Sequence, residues 1–554
     1  MRTPELVFVP LGGVGEIGMN FALYGFGPQG RRRWIIVDCG VAFADDQLPG
    51  IDLVLPDIRF IEEERANLEA ILLTHAHEDH FGALADLWPR LKVPVYATPF
   101  TAGLLEAKRL SEPGAPAVEV RTIASGARIK VGPFDVEYVP VAHSIPESHS
   151  LFIRTAAGNV LHTGDWKLDP DPVLGGITDP ERFTAIGREG VDVLLCDSTN
   201  ALRDGVSPSE ADVAINLAEV VARAPGRVAV TTFASNVARI RSVAEAAAKA
   251  GREVVTVGRA MDRVVRVARE LGYLDGIAPF RDESAFAYLP RDKVLALCTG
   301  SQGEARAALA RIAAGDHPRV SLSPGDLVVF SSRTIPGNER SVYRIINGLV
   351  GQGIEVLTDR DAMIHVSGHP RRGEIAEMYR WTQPKALVPV HGEMAHLTTH
   401  AAFGRASGIP DARVVRNGDM VRLLPGPLEV VDEVPSGRLV KDGAMLRTPE
   451  ESGVRDRRRL SYAGVVFVSL ILNSKGEMID DPQVALLGLP EEDDIGTPLG
   501  VVVEDTVMGT IESIPRPRRR DSELVADAVR RSVRAAINQI WGKKPLCKVL
   551  VSRI

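Results

Sequence analysis

The chain has 554 residues, of which 45% are apolar and 25% are charged. This is ordinary globular composition, and it excludes a small disulfide scaffold and a mostly disordered chain. At roughly 150 residues per domain, the length predicts about three to four domains. The apolar stretches fall short of the roughly 20 residues needed to span a membrane, and the N-terminal residues lack the features of a signal peptide. We therefore expect a cytoplasmic protein with no membrane segment.

The net charge and the cysteines add further limits. A net charge of −7 argues against a uniformly basic nucleic-acid binder, but it leaves a local positive groove open. Cys39, Cys196, Cys298 and Cys547 stand far apart, without the paired spacing of a thiolate metal site or a disulfide framework. We expect all four to be buried thiols.

The predicted elements change in character along the chain. The first two hundred residues contain short apolar runs that end in polar residues, which is typical of strands. From about Ser209, helices and strands alternate, and this alternation predicts a parallel α/β sheet. After about Asp361, short strands return and continue to about Val440. The middle unit is therefore expected to be an insertion into the first.

The C-terminal part is predicted to be a linker followed by a small domain. Residues 448–462 are polar and lack periodicity, which is typical of a linker. A helix is predicted from about Ser522 to Trp541, because apolar residues recur on one stripe at Val525, Val529, Val533, Ile537 and Ile540. Strands flank this helix, so we expect a compact α+β domain over residues 463–554.

The strongest chemical signal is a histidine cluster at the end of a predicted strand. Thr74 to His80 reads THAHEDH and includes His75, His77, Asp79 and His80, in a chain with only 12 histidines. Neutral imidazoles and a carboxylate suit zinc or manganese. A loop between a strand and a helix is also where ligands commonly converge. The alternative interpretation is a solvated histidine-rich loop.

Three more candidate ligands follow predicted strands further along the chain. These residues are His143, Asp165 and His391. Each alone is more typical of a cap or a turn, but the repeated placement beside the cluster favours a shared site. Seven ligands are enough for two metals that share a bridging carboxylate.

These motifs resemble the metallo-β-lactamase superfamily, whose signature is His-x-His-x-Asp-His followed by single His, Asp and His motifs. The resemblance implies an αββα sandwich. It also implies that His75, His77 and His143 hold one zinc and that Asp79, His80 and His391 hold the other. Asp165 would bridge the two metals. No ligand position departs from the pattern.

The insertion resembles the β-CASP domain of the nucleic-acid-processing members of that superfamily. Its marker residues are matched by Asp197 (motif A), His365 (motif B) and His391 (motif C), and a histidine at motif B is typical of members that act on RNA. The agreement is most detailed with the bacterial ribonuclease J family, whose phrases appear nearly verbatim over residues 7 to 420 as PLGGVGEIGMN, LLTHAHEDHFGAL, AHSIPESH, HTGDWKLDP, LCDSTN, CTGSQGE, FSSRTIPGNE, HVSGHP and VPVHGE.

The resemblance also gives a domain plan. It assigns residues 1–205 and 365–447 to the metallo-β-lactamase domain and residues 206–364 to an inserted, parallel α/β β-CASP domain. The linker 448–462 and the C-terminal α+β domain 463–554 follow in the expected order.

The resemblance implies a two-metal ribonuclease that degrades RNA from 5′-monophosphate ends in the 5′-to-3′ direction and also cleaves internally, in RNA maturation and mRNA decay. Asp79 would serve the catalytic metals, His365 would stabilise the transition state or protonate the leaving oxygen, and Asp197 would orient His365. The residues implied to bind substrate are Ser144, Ser301, Ser331, Arg333, His365, Ser367, Gly368 and His369.

Cofactors and partners follow from the same resemblance. It implies two zinc ions per subunit, with manganese or magnesium supporting activity, since the ligand mixture accepts all three. It also implies a homodimer or homotetramer formed through the C-terminal domain, and an RNA-degradation complex. Two other readings are weighed against this one. A lactonase or thioesterase on the same scaffold would generally lack the insertion, and a non-catalytic RNA-binding scaffold would have lost metal ligands.

Overall fold

Two β-sheets packed face to face carry the histidine cluster. The computed structural model describes residues 4–45, 47–335 and 337–554. The first sheet has the spatial strand order Glu429–Glu433, Asp419–Leu424, Glu5–Gly12, Phe21–Gly27, Arg33–Val37, Leu68–Leu72, Val95–Ala97 and Val120–Thr122. The second has the order Arg128–Val131, Phe134–Pro140, His149–Thr155, Gly158–His162, Val193–Asp197, Ala386–Val390 and Asp411–Ala412.

The inner faces of the two sheets share one apolar core. Phe8 and Tyr24 of the first sheet belong to the same buried cluster as Leu151 and Leu195 of the second. Central strands such as Val193–Asp197 are buried along their whole length, which explains why they read as continuous apolar runs in the sequence.

Helices cover the outer faces and complete the predicted αββα sandwich. On the second sheet, Phe183 and Met378 anchor two helices in a separate apolar cluster. On the first sheet, the Trp34 ring packs against Phe60 with centroids 5.4 Å apart. The helices of this part are Arg59–Glu63, Glu78–Phe81, Leu84–Leu91, Pro99–Ser111, Pro180–Glu189, Arg372–Thr382 and Met394–Ala406.

The inserted part contains the predicted parallel sheet. Its strands all pair in parallel, in the order Glu253–Val257, Val294–Cys298, Val228–Thr231, Leu327–Phe330 and Glu355–Leu357. Its helices are Glu210–Arg223, Val237–Lys249, Arg259–Glu270, Ala308–Ala314 and Glu339–Gly351. Ser209 caps the first of these helices in a capping box with Asp212, which fixes where the inserted domain begins.

The C-terminal part has the predicted α+β composition. Its sheet has the order Gln483–Leu487, Val465–Leu472 and Leu546–Arg553. The helices Leu499–Ser513 and Ser522–Trp541 pack on one face of this sheet in a common apolar cluster. The predicted stripe is buried at Val525, Val529, Val533 and Ile537, whereas Ile540 is 38% exposed. None of the helices in the described ranges combines the length and apolar character that crossing a bilayer requires.

The segment expected to be a linker is partly helical. Residues Val454–Ala463 form an α-helix, which the sequence reading missed because charged residues dominate it and only Val454 and Ala463 are buried. The chain divides into two compact units, of which the second combines Phe43–Val54 with Arg438–Ile554. The short strands outside the main sheets are Val14–Gly15, Ala42–Phe43, Leu53–Pro56, Gly392–Glu393, Arg438–Asp442 and Met445–Arg447.

Candidate metal centre

The histidine-rich segment lies between the buried strand Leu68–Leu72 and the short helix Glu78–Phe81. A buried carboxylate, Asp38, holds this segment in place. Asp38 accepts hydrogen bonds from the Thr74 N–H at 2.8 Å, from the Thr74 hydroxyl and from His80 Nδ1 at 2.7 Å. Because Nδ1 of His80 is engaged there, Nε2 is left facing the other candidate ligands.

Asp38 is a site residue that sequence reasoning missed. It directly follows the buried strand Arg33–Val37 and has a positive φ of 64°. The signal that could have found it is the same one that marked Asp165, namely an acidic residue at the end of an apolar strand.

The first candidate site brings together four predicted ligands. His77 Nδ1 lies 3.1 Å from His75 Nε2 and 3.1 Å from His143 Nε2. The Oδ2 atom of Asp165 is 3.8 Å from both of the latter nitrogens. His143 donates its Nδ1–H to the Gly368 carbonyl at 2.7 Å, so its Nε2 is the atom free to bind a metal.

The second candidate site contains Asp79, His80, His391 and the same Asp165. His80 Nε2 is 3.2 Å from Asp165 Oδ2, and the Oδ2 atom of Asp79 is 3.7 Å from the Nε2 atoms of both His80 and His391. His391 has a φ of 52°, and its N–H donates to the Gly13 carbonyl at 2.8 Å. The structure therefore brings all seven predicted ligands together, with Asp165 common to both groups.

The donor set fits two divalent metals. Asp165 is buried, and among the described residues its Oδ1 atom has no hydrogen-bond partner, which is unfavourable unless a cation binds there. Burial lowers the pKa of His75 and His143 well below the usual value and lowers that of His77 to about 4. These imidazoles are therefore neutral at physiological pH, as metal ligands must be.

The carboxylates act differently on the second site. Burial acts to lower the pKa of His80, but Asp165, Asp79 and Asp38 outweigh it and raise that pKa well above its usual value. Burial likewise acts to raise the pKa of Asp165, and the neighbouring His391, His80 and His369 hold it well below its usual value. The Asp165 carboxylate therefore favours positive charge around it, either on the neighbouring histidines or on a bound cation.

A third group lies against the metal ligands and corrects one expectation. The Asp197 carboxylate accepts a hydrogen bond from His369 Nδ1 at 2.7 Å, not from His365. His369 Nδ1 is also 3.8 Å from Asp165. Burial acts to lower the pKa of His369, but Asp197 and Asp165 outweigh it and raise that pKa to about 9. His369 is therefore the histidine that Asp197 orients.

His365 lies in a different environment. Its Nδ1 atom is buried, and in the described ranges it has no hydrogen-bond partner. Burial and the nearby guanidinium groups of Arg239 and Arg333 hold the pKa of His365 well below its usual value. The expected hydrogen bond between His365 and Asp197 is thus replaced by a cationic environment around a neutral imidazole.

The other residues expected to bind substrate fall into two groups. Ser144 and Gly368 lie beside His143, since a Cβ atom at Gly368 would be 2.6 Å from His143 Nδ1 and 2.9 Å from Ser144 Oγ. The Ser367 hydroxyl accepts a hydrogen bond from Asn200 Nδ2 at 2.9 Å. Gly368 therefore permits a close approach that a larger residue would block.

The second group lies at the carboxyl ends of the inserted parallel strands. Ser301 is buried, and Arg333 is exposed. The Ser331 hydroxyl donates to the Ile364 carbonyl at 2.7 Å and accepts from Arg239 Nη1 at 2.6 Å. Both bonds lie within the protein, so the Ser331 hydroxyl links the strand Leu327–Phe330 to the segment before His365.

The sandwich, the inserted parallel domain and the paired ligand groups together define a metal-dependent hydrolase of the metallo-β-lactamase superfamily. Family models match successive parts of the chain. The matches are to a Beta-lactamase superfamily domain over residues 33–230, the Ribonuclease J beta-CASP domain over 225–349, a Zn-dependent metallo-hydrolase RNA specificity domain over 353–411 and the Ribonuclease J C-terminal domain over 452–554.

Relatives match over nearly the whole length. The chain is 58% identical to a protein named Ribonuclease J from Sinorhizobium meliloti, covering 99% of this chain and 98% of the relative. It is 38% identical to Ribonuclease J of Mycolicibacterium smegmatis, covering 97% and 95%. The chain therefore belongs to the ribonuclease J family of metal-dependent ribonucleases.

A solved structure shares the fold. A protein of unknown function from Enterococcus faecalis V583 aligns with a TM-score of 0.52 and 17% identity, over 76% of this chain and 100% of its own. At this identity the likeness concerns the fold alone.

Proposed function

We propose that the protein hydrolyses RNA phosphodiester bonds at a two-metal centre, as a 5′-to-3′ exonuclease that prefers 5′-monophosphate ends and also cleaves internally. The observation that carries this proposal is the meeting of the seven-ligand cluster with the Asp197–His369 pair. The match to an RNA specificity domain over residues 353–411, which include His369, supports RNA as the substrate.

Residues of both groups would hold the metals. His75, His77 and His143 would hold one ion, Asp79, His80 and His391 the other, and Asp165 would bridge them. Two zinc ions per subunit, with manganese or magnesium supporting turnover, would supply Lewis acidity and lower the pKa of a bound water.

The protein's own groups would then manage the leaving oxygen. Asp197 is a carboxylate that can only accept, so His369 donates from Nδ1 and keeps Nε2 for the substrate. Burial acts to lower the pKa of His369, but Asp197 and Asp165 outweigh it, so the contact with Asp197 favours the protonated imidazole. We propose that it gives the Nε2 proton to the leaving oxygen, the role that the sequence analysis expected of His365.

The 5′-monophosphate preference is assigned to the groups around Gly368. Ser144 lies beside this glycine and Ser367 precedes it, and Arg333 lies near His365. Hydroxyl and guanidinium donors suit a terminal phosphate. Tight binding of a terminal phosphate by these groups would also separate a chain end from an internal bond.

A labelled RNA tests the proposal. The RNA carries a 5′-monophosphate, 5′-triphosphate or 5′-hydroxyl, with manganese added or chelated, and is treated with wild type, His77→Ala and the control His317→Ala, which lies near Glu283 and outside the ligand groups. We expect immediate release of labelled mononucleotide from the monophosphate RNA, lost on chelation and in His77→Ala but retained in the control. Internal fragments insensitive to the 5′ group would make the enzyme an endonuclease. Bound but uncut RNA would favour a scaffold.

We also propose self-association as a homodimer or homotetramer through the C-terminal domain. One face of its sheet is buried, whereas Phe467, Leu487 and Leu550 on the other face are 42%, 63% and 65% exposed. An apolar face of this kind is typical of an interface. Leu550→Lys should shift the mass measured by light scattering towards the monomer, and an unchanged mass would exclude this face.

The cellular role is proposed from the family resemblance. In this proposal the protein acts in the cytoplasm, where it takes part in RNA maturation and mRNA decay. It does so as a member of an RNA-degradation complex. Co-purification of the tagged protein with RNA-degrading partners, compared with the His77→Ala variant, tests this part.

A further inference from the structure

The inserted domain leaves and rejoins the sandwich beside the metal cluster. The outgoing connection precedes the helix Glu210–Arg223, and the returning one precedes the helix Arg372–Thr382. The two connections are bonded to each other, because the Arg372 N–H donates to the Arg203 carbonyl at 3.0 Å and the Gly373 N–H donates to the Gly205 carbonyl at 2.9 Å.

A buried carboxylate, Glu374, lies at this crossing. Glu374 is 0% exposed. Its Oε1 atom accepts from the Leu168 N–H at 2.9 Å. Its Oε2 atom accepts from the Ser207 N–H at 2.9 Å and from the Arg371 N–H at 2.8 Å. The carboxylate thus binds main-chain donors from three separate segments.

Each of these segments carries or adjoins a group of the site. Leu168 follows Asp165 by three residues, and Arg371 follows His369 by two. Ser207 lies in the outgoing connection, where its hydroxyl donates to the His369 carbonyl at 3.4 Å. Glu374 therefore joins the segment that carries His369 to the segment that carries Asp165.

Helix capping explains only part of this arrangement. A glutamate at the third helical position commonly accepts from the residue that caps the helix, which accounts for the bond from Arg371. The bonds from Leu168 and Ser207 come from 206 and 167 residues away in sequence. A capping glutamate has no need of them.

We propose that Glu374 is a positioning residue for the hydrolytic reaction, which fixes His369 against Asp165 by binding the main chain of both their segments. This inference rests on the proposed function. A carboxylate is required, because both of its oxygens accept. A glutamine at this position would present its NH₂ group to a main-chain N–H on one side.

The test uses Glu374→Gln in the full-length protein, with Glu377→Gln as the matched control. Glu377 lies on the same helix, where it pairs with Arg380 at the surface. Cleavage is measured on 5′-monophosphate RNA and on the same RNA with sulphur in place of the bridging leaving oxygen. A thiolate leaves without protonation far more readily than an alkoxide does, because a free cysteine thiol has a pKa of only about 8.5.

We expect Glu374→Gln to lower kcat about 10- to 100-fold on the oxygen substrate, with KM within about twofold and metal content unchanged. On the sulphur substrate the loss should be less than about threefold, and adding Glu374→Gln to His369→Ala should cost little more. The control should match wild type. Should Glu374→Gln not fold, Glu374→Asp replaces it, with the same difference expected between the two substrates.

Equal losses on both substrates, full activity, or a loss explained by missing metal would overturn the positioning role. Failure of wild type to cleave RNA at all would instead refute the proposed function, so the two failures are distinguishable.

Discussion

Asp197→Asn isolates the contribution of the carboxylate that orients His369. The asparagine keeps an oxygen for the Thr199 N–H, which donates to Asp197 Oδ1 at 2.8 Å. It replaces the 2.7 Å bond from His369 Nδ1 with a contact that lacks the negative charge. A hydrogen bond to a charged group contributes about 1.5 to 3 kcal/mol, so kcat should fall roughly 10- to 150-fold.

The assay is single-turnover cleavage of 5′-monophosphate RNA, with metal content measured by plasma mass spectrometry. Asp204→Asn is the matched control, because Asp204 makes its 2.8 Å pair with Arg372 while its side chain is 85% exposed. We expect the control to keep wild-type rates and both variants to keep the metal content of the wild type. A loss of metal in Asp197→Asn would refute the reasoning, because it would make Asp197 a ligand.

Three further predictions concern a hydrogen bond, a helix cap and the reactivity of two buried thiols. Tyr273→Phe removes the hydroxyl that donates to Glu147 at 2.5 Å and should lower the free energy of unfolding in urea by about 1 to 2 kcal/mol; an unchanged value would mean that water replaces the bond at no cost. Asp521→Ala removes the cap of the long C-terminal helix and should cost about 1 kcal/mol, which Asp521→Ser should largely restore. Burial raises the pKa of Cys298 to about 12 and of Cys547 to about 11, so at pH 8 a disulfide reagent should label these thiols more than about a hundredfold more slowly in the folded than in the unfolded protein, with the rate rising with pH. Rapid labelling of the folded protein would contradict this burial.

The metal ligands could be predicted because the sequence places them in a short motif or at strand ends. Asp165 and His391 follow strands of the second sheet, and the histidine cluster follows a strand of the first, so the packing of the two sheets brings their strand ends to one site. The prediction of buried thiols is also confirmed, because all four cysteines are free and buried.

The histidine that Asp197 orients could not be chosen from the sequence. His365 and His369 lie four residues apart in one irregular segment, where no periodicity fixes the direction of a side chain. Only the folded chain shows that His369 reaches Asp197, while His365 lies near Arg239. The helix Val454–Ala463 was missed on similar grounds, because its sequence has almost no apolar stripe.

Two of the contacts that join the inserted domain to the sandwich differ in strength. The crossing at Glu374 is buried and uses three main-chain donors, so opening it would leave a carboxylate and several N–H groups without partners. The contact between Glu147 and Tyr273 depends on side chains, and Tyr273 is partly exposed. Local opening begins where the contacts need the least free energy to break. Partial separation of the inserted domain from the sandwich is therefore expected to break the Tyr273 contact before the bonds of Glu374.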